Sequence, residues 1–159
     1  MSISRLGQRT EGLDWLNAGA VCFNFNLRRT ARAVTQYYDE VLKPSGIKVT
    51  QFTILMAIAT RKDHTITEIA RLAQVDRTTL TRSLKILQGD KLIEVKKAQP
   101  GNKRRVSITP LGIKRMKEVY PYWFKAQRSL AKALTPVKTR ELRHLLGDVK
   151  NAAEELHAV

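Results

Sequence analysis

The stretch Asp76-Arg77-Thr78-Thr79-Leu80-Thr81-Arg82-Ser83-Leu84-Lys85 decides the fold. Asp76 suits a helix N-cap, because its carboxylate can accept bonds from amides that a first helical turn leaves unpaired. In a helix starting at Arg77, Leu80, Leu84 and Leu87 recur at i, i+4 and i+7 and form one buried stripe. Arg77, Thr78, Thr81, Arg82 and Lys85 line the opposite face. Cations and hydroxyls bond phosphates and base edges, and a groove-reading helix makes most of its base contacts from its first turn. Arg77, Thr78, Thr79, Thr81, Arg82 and Lys85 are therefore the candidate contacts to double-stranded DNA.

The flanking sequence supplies the rest of a reading head. Thr65-Ile66-Thr67-Glu68 fits a capping box, and a short helix carrying Ile69, Ala70, Leu72 and Ala73 follows. Gln74-Val75-Asp76 is the turn of a helix-turn-helix. Beyond the decapeptide, Gly89-Asp90 stops the helix, and Leu92-Ile93-Glu94-Val95-Lys96-Lys97 alternates as a strand. Gln99-Pro100-Gly101-Asn102 is a turn, and Arg104 to Thr109 returns as the partner strand. Lys103, Arg104 and Arg105 make the tip of this hairpin basic. From Arg77 to Arg105 the acids Asp90 and Glu94 face cations at Arg77, Arg82, Lys85, Lys91, Lys96, Lys97, Lys103, Arg104 and Arg105. The basicity is concentrated where a polyanion would lie.

Around this lobe the periodicity is helical. From Asp14, Leu16, Ala20, Phe23, Leu27, Ala31, Val34, Tyr38 and Val41 mark a helix of roughly seven turns at ~3.6 residues per turn. It ends at Lys43-Pro44-Ser45-Gly46, and Thr50 is the expected cap of an almost wholly apolar helix with Phe52, Ile54, Leu55 and Ile58. Thr109-Pro110 starts a helix reaching about Leu134, with a kink expected near Tyr120 because Pro121 removes an amide donor. Thr135-Pro136 starts the last, which carries Leu142, Leu145, Leu146, Val149, Ala153 and Leu156 on one face. These stripes lack partners within one small lobe and predict a homodimer. The fold class is mainly α with a small β-hairpin wing. The divisions are a loose arm at 1–13, helical dimerisation segments at 14–45 and 110–159, and a winged helix-turn-helix lobe at 46–109.

The 159 residues, 43% of them hydrophobic, suit one globular domain with helical extensions. A net charge of +15 favours a nucleic-acid partner. No run of about 20 apolar residues occurs and no secretory pattern opens the chain, so no membrane association is expected and the expected location is the cytoplasm. The single cysteine, Cys22, excludes an internal disulfide and a multi-cysteine zinc site. His64, His144 and His157 are scattered, the carboxylates are dispersed, and there is no phosphate loop or nucleophile elbow. These features predict no metal, no cofactor and no enzyme.

The chain resembles the MarR family of bacterial winged-helix regulators from about Cys22 to its end. The resemblance rests on Leu42-Lys43-Pro44-Ser45-Gly46 with Thr50-Gln51-Phe52, on Ile69-Ala70 through Arg82, and on Ile108-Thr109-Pro110-Leu111-Gly112. It implies a dimer joined through its first and last helices, a reading helix in each of two successive major grooves about 10 bp apart, and a wing near each flanking minor groove. One feature departs from the family. An Asp supporting an Arg near the wing tip is absent here; the shorter wing alignment puts Asn102 and Arg104 at those places, leaving open which of Lys103, Arg104 and Arg105 enters the groove. Cys22 is similar to the sensing thiol of the family's organic-hydroperoxide regulators. The aromatics Tyr120, Tyr122, Trp123 and Phe124 are expected to pack at the kink or the dimer interface. Phe23, Tyr38 and Phe52 are the candidate pocket for a small aromatic effector.

The reading is thus a homodimeric repressor bound to a palindromic operator and released by a small-molecule effector. A peroxide-sensing thiol at Cys22, with an oxidant as effector, is the alternative within the fold. A sequence-neutral nucleoid or architectural binder is the alternative of another class.

Overall fold

The computed structural model describes residues 18–97 and 104–157. The arm at 1–13, the helix start at Asp14, the turn Gln99 to Asn102 and Lys103 lie outside them. The chain divides into two units, the first ending at Tyr37 and the second beginning at Tyr38.

In the first unit, the continuous helix expected from Asp14 is interrupted. A short α1 (Ala18–Val21) stops at Cys22, and α2 begins at Phe23 and runs to Leu42, with its last turn in the second unit. The periodicity survives the break because the Asn26 amide still donates to the Cys22 carbonyl at 3.1 Å.

The second unit is built around α3 (Val49–Ala59), whose Phe52, Ile54, Leu55 and Ile58 are fully buried. The corner before it is closed by Gly46 at φ 69°, a left-handed value that costs glycine little. Ser45 Oγ donates to the Leu42 carbonyl at 2.7 Å, and the Arg115 guanidinium donates to the Ser45 carbonyl. The cap of α3 is not Thr50. Lys48 is the N-cap residue, and its amide donates to Gln51 Oε1 at 2.9 Å, because Asp39 Oδ1 takes the Val49 amide and draws the start two residues earlier.

A two-residue β1 (His64–Thr65) leads into α4 (Ile66–Ala73), then α5 (Arg77–Gly89). Strands β2 (Ile93–Lys97) and β3 (Arg104–Ile108) form the wing, and β1 adds to β3 in a three-stranded antiparallel sheet of order β1-β3-β2. Helix α5 stops at Gly89-Asp90 as expected. Gly89 is its last residue, and the left-handed position falls on Lys91 at φ 58°. The Leu92 amide then reaches the Leu87 carbonyl at 2.9 Å and the Lys91 amide the Gln88 carbonyl at 3.0 Å, a Schellman motif with Leu87 and Leu92 buried together.

Helix α6 (Pro110–Leu134) starts where the wing returns. Thr109 Oγ1 accepts from the Gly112 amide and donates to the Lys91 carbonyl, tying the start of α6 to the end of α5. A Cβ on Gly112 would overlap the Leu92 carbonyl oxygen, so only glycine fits this crossing. Helix α6 runs unbroken through Pro121. Pro121 is exposed, as is Lys117, so the carbonyl it leaves without a helical partner can be hydrated. After Thr135, at φ 69° and ψ 156°, helix α7 (Pro136–His157) buries none of its residues and leaves Val137, Leu142, Leu145, Leu146 and Leu156 exposed. No helix among the described residues is long and apolar enough to cross a membrane, and no cluster of three or more metal-ligating side chains occurs among them.

Candidate nucleic-acid interface

Helix α5 is held from both sides. Asp76 Oδ1 accepts from the Thr79 amide at 2.8 Å and Asp76 Oδ2 from the Thr79 hydroxyl at 2.6 Å, and these bonds hold the Asp76 carboxyl below its usual pKa. Leu80, Leu84 and Leu87 are buried as the stripe requires, joined by Ser83. Arg77, Thr78, Thr81, Arg82 and Lys85 are exposed, within an arc of about 140° at ~100° per residue. No carboxylate pairs with Arg77, Arg82 or Lys85 among the described residues. Thr81 donates to the Arg77 carbonyl at 2.7 Å, which leaves its oxygen able to accept a further bond. Thr79 differs from its neighbours, since both its amide and its hydroxyl are committed to Asp76.

The preceding helix has the same construction. The Glu68 amide donates to Thr65 Oγ1 at 3.2 Å, and the Thr65 amide and hydroxyl donate to Glu68 Oε2 at 2.7 and 2.8 Å. These bonds, with a smaller contribution from Arg105, hold the Glu68 carboxyl below its usual pKa. Gln74, left-handed at φ 50°, closes α4 and turns the chain into α5.

In the wing, Lys96 lies opposite Arg105 and Lys97 opposite Arg104. Residues opposite one another share a sheet face, so the two rows behave differently. Lys96 Nζ is 2.6 Å from Glu94, and Arg105 Nη1 is 3.2 Å from Asp63 Oδ1. Sequence reasoning missed the second pair because its partners are 42 residues apart. It also missed His64, which is buried against the sheet. Thr60 Oγ1 donates to the Ala57 carbonyl and so accepts from His64 Nε2 at 3.1 Å, and Nδ1 has no partner among the described residues.

The remaining candidates fall in both units. Cys22 is exposed at the break between α1 and α2, and its Sγ accepts from the Phe25 amide at 3.5 Å. Phe23 is exposed. Tyr38 and Phe52 are committed to packing in the second unit, where Tyr38 donates to Gln127 Oε1 at 2.6 Å and Phe52 lies 6.1 Å from the Trp123 ring. Tyr120 stacks on Phe124 at 5.9 Å, and Arg128 lies 5.8 Å from the Phe124 ring centre. Phe124 and Arg128 also line a recess of about 480 Å³ with Pro121, Lys125, Ser129 and Lys132.

A capped helix pair, a basic outer face and a two-stranded wing define a winged helix-turn-helix protein. The MarR family model matches residues 45–105. The M. tuberculosis transcriptional regulator MosR, solved in complex with DNA, is 31% identical, with a TM-score of 0.73 over 85% of this chain and 98% of that one. A second structure of M. tuberculosis MosR is 32% identical, with a TM-score of 0.75 over 84% and 96%. A cysteine-to-serine mutant of E. coli MarR complexed with operator DNA shares the fold at 22% identity, with a TM-score of 0.74 over 86% and 99%. No curated protein sequence matches the chain. The chain belongs to the MarR family of transcriptional regulators.

Proposed function

We propose that this regulator is a homodimeric repressor that reads a palindromic operator through Arg77, Thr78, Thr81, Arg82 and Lys85 and is released by a small-molecule effector. The observation that carries the reading is the α5 face, where three cations stand without carboxylate partners among the described residues on a helix braced by Asp76 and by the Leu80, Leu84 and Leu87 stripe. The DNA complexes of M. tuberculosis MosR and E. coli MarR support it. The unburied apolar face of α7 supports a dimer joined by helical segments at 14–45 and 110–159 around the lobe at 46–109. The recess beside Phe124 offers an aromatic wall and three cations to an effector.

Selection of bound duplexes from a random pool tests this reading. Recovery of a palindrome with half-sites about 10 bp apart supports it. Recovery of no common sequence would leave the nucleoid-type binder in its place.

A further inference from the structure

We propose that the outward face of α6 is a second polyanion-binding surface, which takes another DNA duplex so that the protein bridges two. The proposal rests on the DNA-binding reading above and adds a duplex to the one that α5 reads.

Helix α6 sorts its side chains by direction. Gly112, Val119 and Ala126 mark the side buried in the lobe. The opposite arc, about 80° wide at ~100° per residue, holds Lys114, Lys117, Lys125, Arg128 and Lys132 together with Pro121 alone. All five cations are exposed, and none has a carboxylate partner among the described residues. Glu118, at the edge of the arc, is 2.9 Å from Arg115. Because α6 runs unbroken through Pro121, the five make one continuous rail about 27 Å long at ~1.5 Å per residue.

The composition of the rail decides its partner. A protein contact centres on buried apolar or aromatic anchors with charges at the rim. Here the charges are the centre, and the large apolar side chains Ile113, Tyr120 and Phe124 lie to one side. A second copy docking by the same face would set five cations against five, and the exposed Leu142, Leu145 and Leu146 of α7 offer it an apolar face instead. A duplex carries one negative charge per about 1.7 Å of axis, so it presents a continuous row of phosphates to a rail of this length. The Arg128 guanidinium is positioned for it, lying 5.8 Å from the Phe124 ring centre. Lys125, Arg128 and Lys132 also line the recess beside Phe124, so an anionic effector there would compete with the second duplex. This far half of the rail begins about 20 Å along α6 from Gly112, which lets it be altered apart from α5.

The test uses the full chain loaded on an immobilised palindrome selected from the random pool. Capture of a labelled random-sequence duplex from about 50 to 200 mM salt is the readout. The unaltered protein should capture it. The triple substitution Lys125→Gln, Arg128→Gln and Lys132→Gln, which keeps helix propensity, should lower capture about tenfold or more. The slope of log affinity on log salt for the captured duplex should fall by about 2.7, three phosphates' worth, with palindrome affinity kept within about twofold. Lys138→Gln, Arg140→Gln and Arg143→Gln on α7 remove the same charge and should leave capture unchanged. Equal losses for both triples would overturn the rail and leave only a diffuse field. An equal loss of palindrome affinity in the α6 triple would place these cations in the operator contact and overturn the second site. No capture by palindrome-bound protein would overturn the bridge and leave the DNA reading standing. Absence of any duplex binding by the unaltered protein would overturn the DNA reading itself.

Discussion

Arg105 of the wing lies 3.2 Å from Asp63 in the loop before β1, and the pair joins the hairpin to the end of α3 and the start of α4. Both side chains are about half exposed, so the bond adds at most about 1 kcal/mol to stability. Its larger effect is on charge. Asp63 offsets part of the positive charge that Arg105 would otherwise present to a phosphate.

Asp63→Asn should therefore release Arg105 to DNA. The expected result is tighter binding to any duplex and a salt slope steeper by up to about 0.9, with stability changed by less than about 1 kcal/mol. Anisotropy across a salt series measures this, and a slope equal to that of the unaltered protein would show that Asp63 does not hold Arg105 back.

Gly112 and Gly89 make a matched pair. A Cβ on Gly112 meets the Leu92 carbonyl and Ile108, whereas a Cβ on Gly89 meets nothing within 4 Å. Gly112→Ala should destabilise by about 1–3 kcal/mol, since backbone must move. Gly89→Ala should stabilise by about 0.5–1 kcal/mol by lowering the unfolded chain's entropy. Urea denaturation of both variants decides, and opposite signs are the expected outcome.

Acid should loosen the two reading-lobe helices. The folded carboxyls of Glu68 and Asp76 lie below their ordinary values of 4.5 and 3.8 because they accept capping bonds. A depressed folded value contributes stability above the unfolded value, and that contribution is lost as pH falls through the folded value. Thermal midpoints should thus decline as pH drops below about 4.5, and the decline should be shallower in Glu68→Gln with Asp76→Asn, where asparagine keeps the cap. Identical pH profiles would contradict the assignment.

Arg82→Ala should weaken operator binding more than random-duplex binding. Arg82 is exposed on the outer arc of α5 without a carboxylate partner among the described residues, as a base contact requires. A loss of about 1–3 kcal/mol on the operator alone is expected. Competition assays check it, and equal losses on both duplexes would reduce Arg82 to a phosphate contact.

What the sequence made legible was local. The Asp76 cap, the Thr65 and Glu68 box and the Leu80, Leu84, Leu87 stripe are set by partners three or four residues apart, and each lies where the pattern put it. The cap of α3 was misplaced because Asp39, ten residues away, takes the Val49 amide. The stop of α5 at Gly89-Asp90 was legible, while the left-handed turn that follows at Lys91 depends on the crossing with Thr109. β1 has two residues, too few for any alternation, and exists because β3 lies beside it. The Arg105 pair with Asp63 and the buried His64 likewise depend on tertiary neighbours. The basic character of the wing was legible, but which of its cations lie opposite one another required the strand register.

The central claim is that α5 reads sequence. The most direct measurement is competition between the palindrome selected from a random pool and a random duplex, both at the same salt. A preference of about a thousandfold or more for the palindrome is the predicted result. Equal affinity for the two would contradict it.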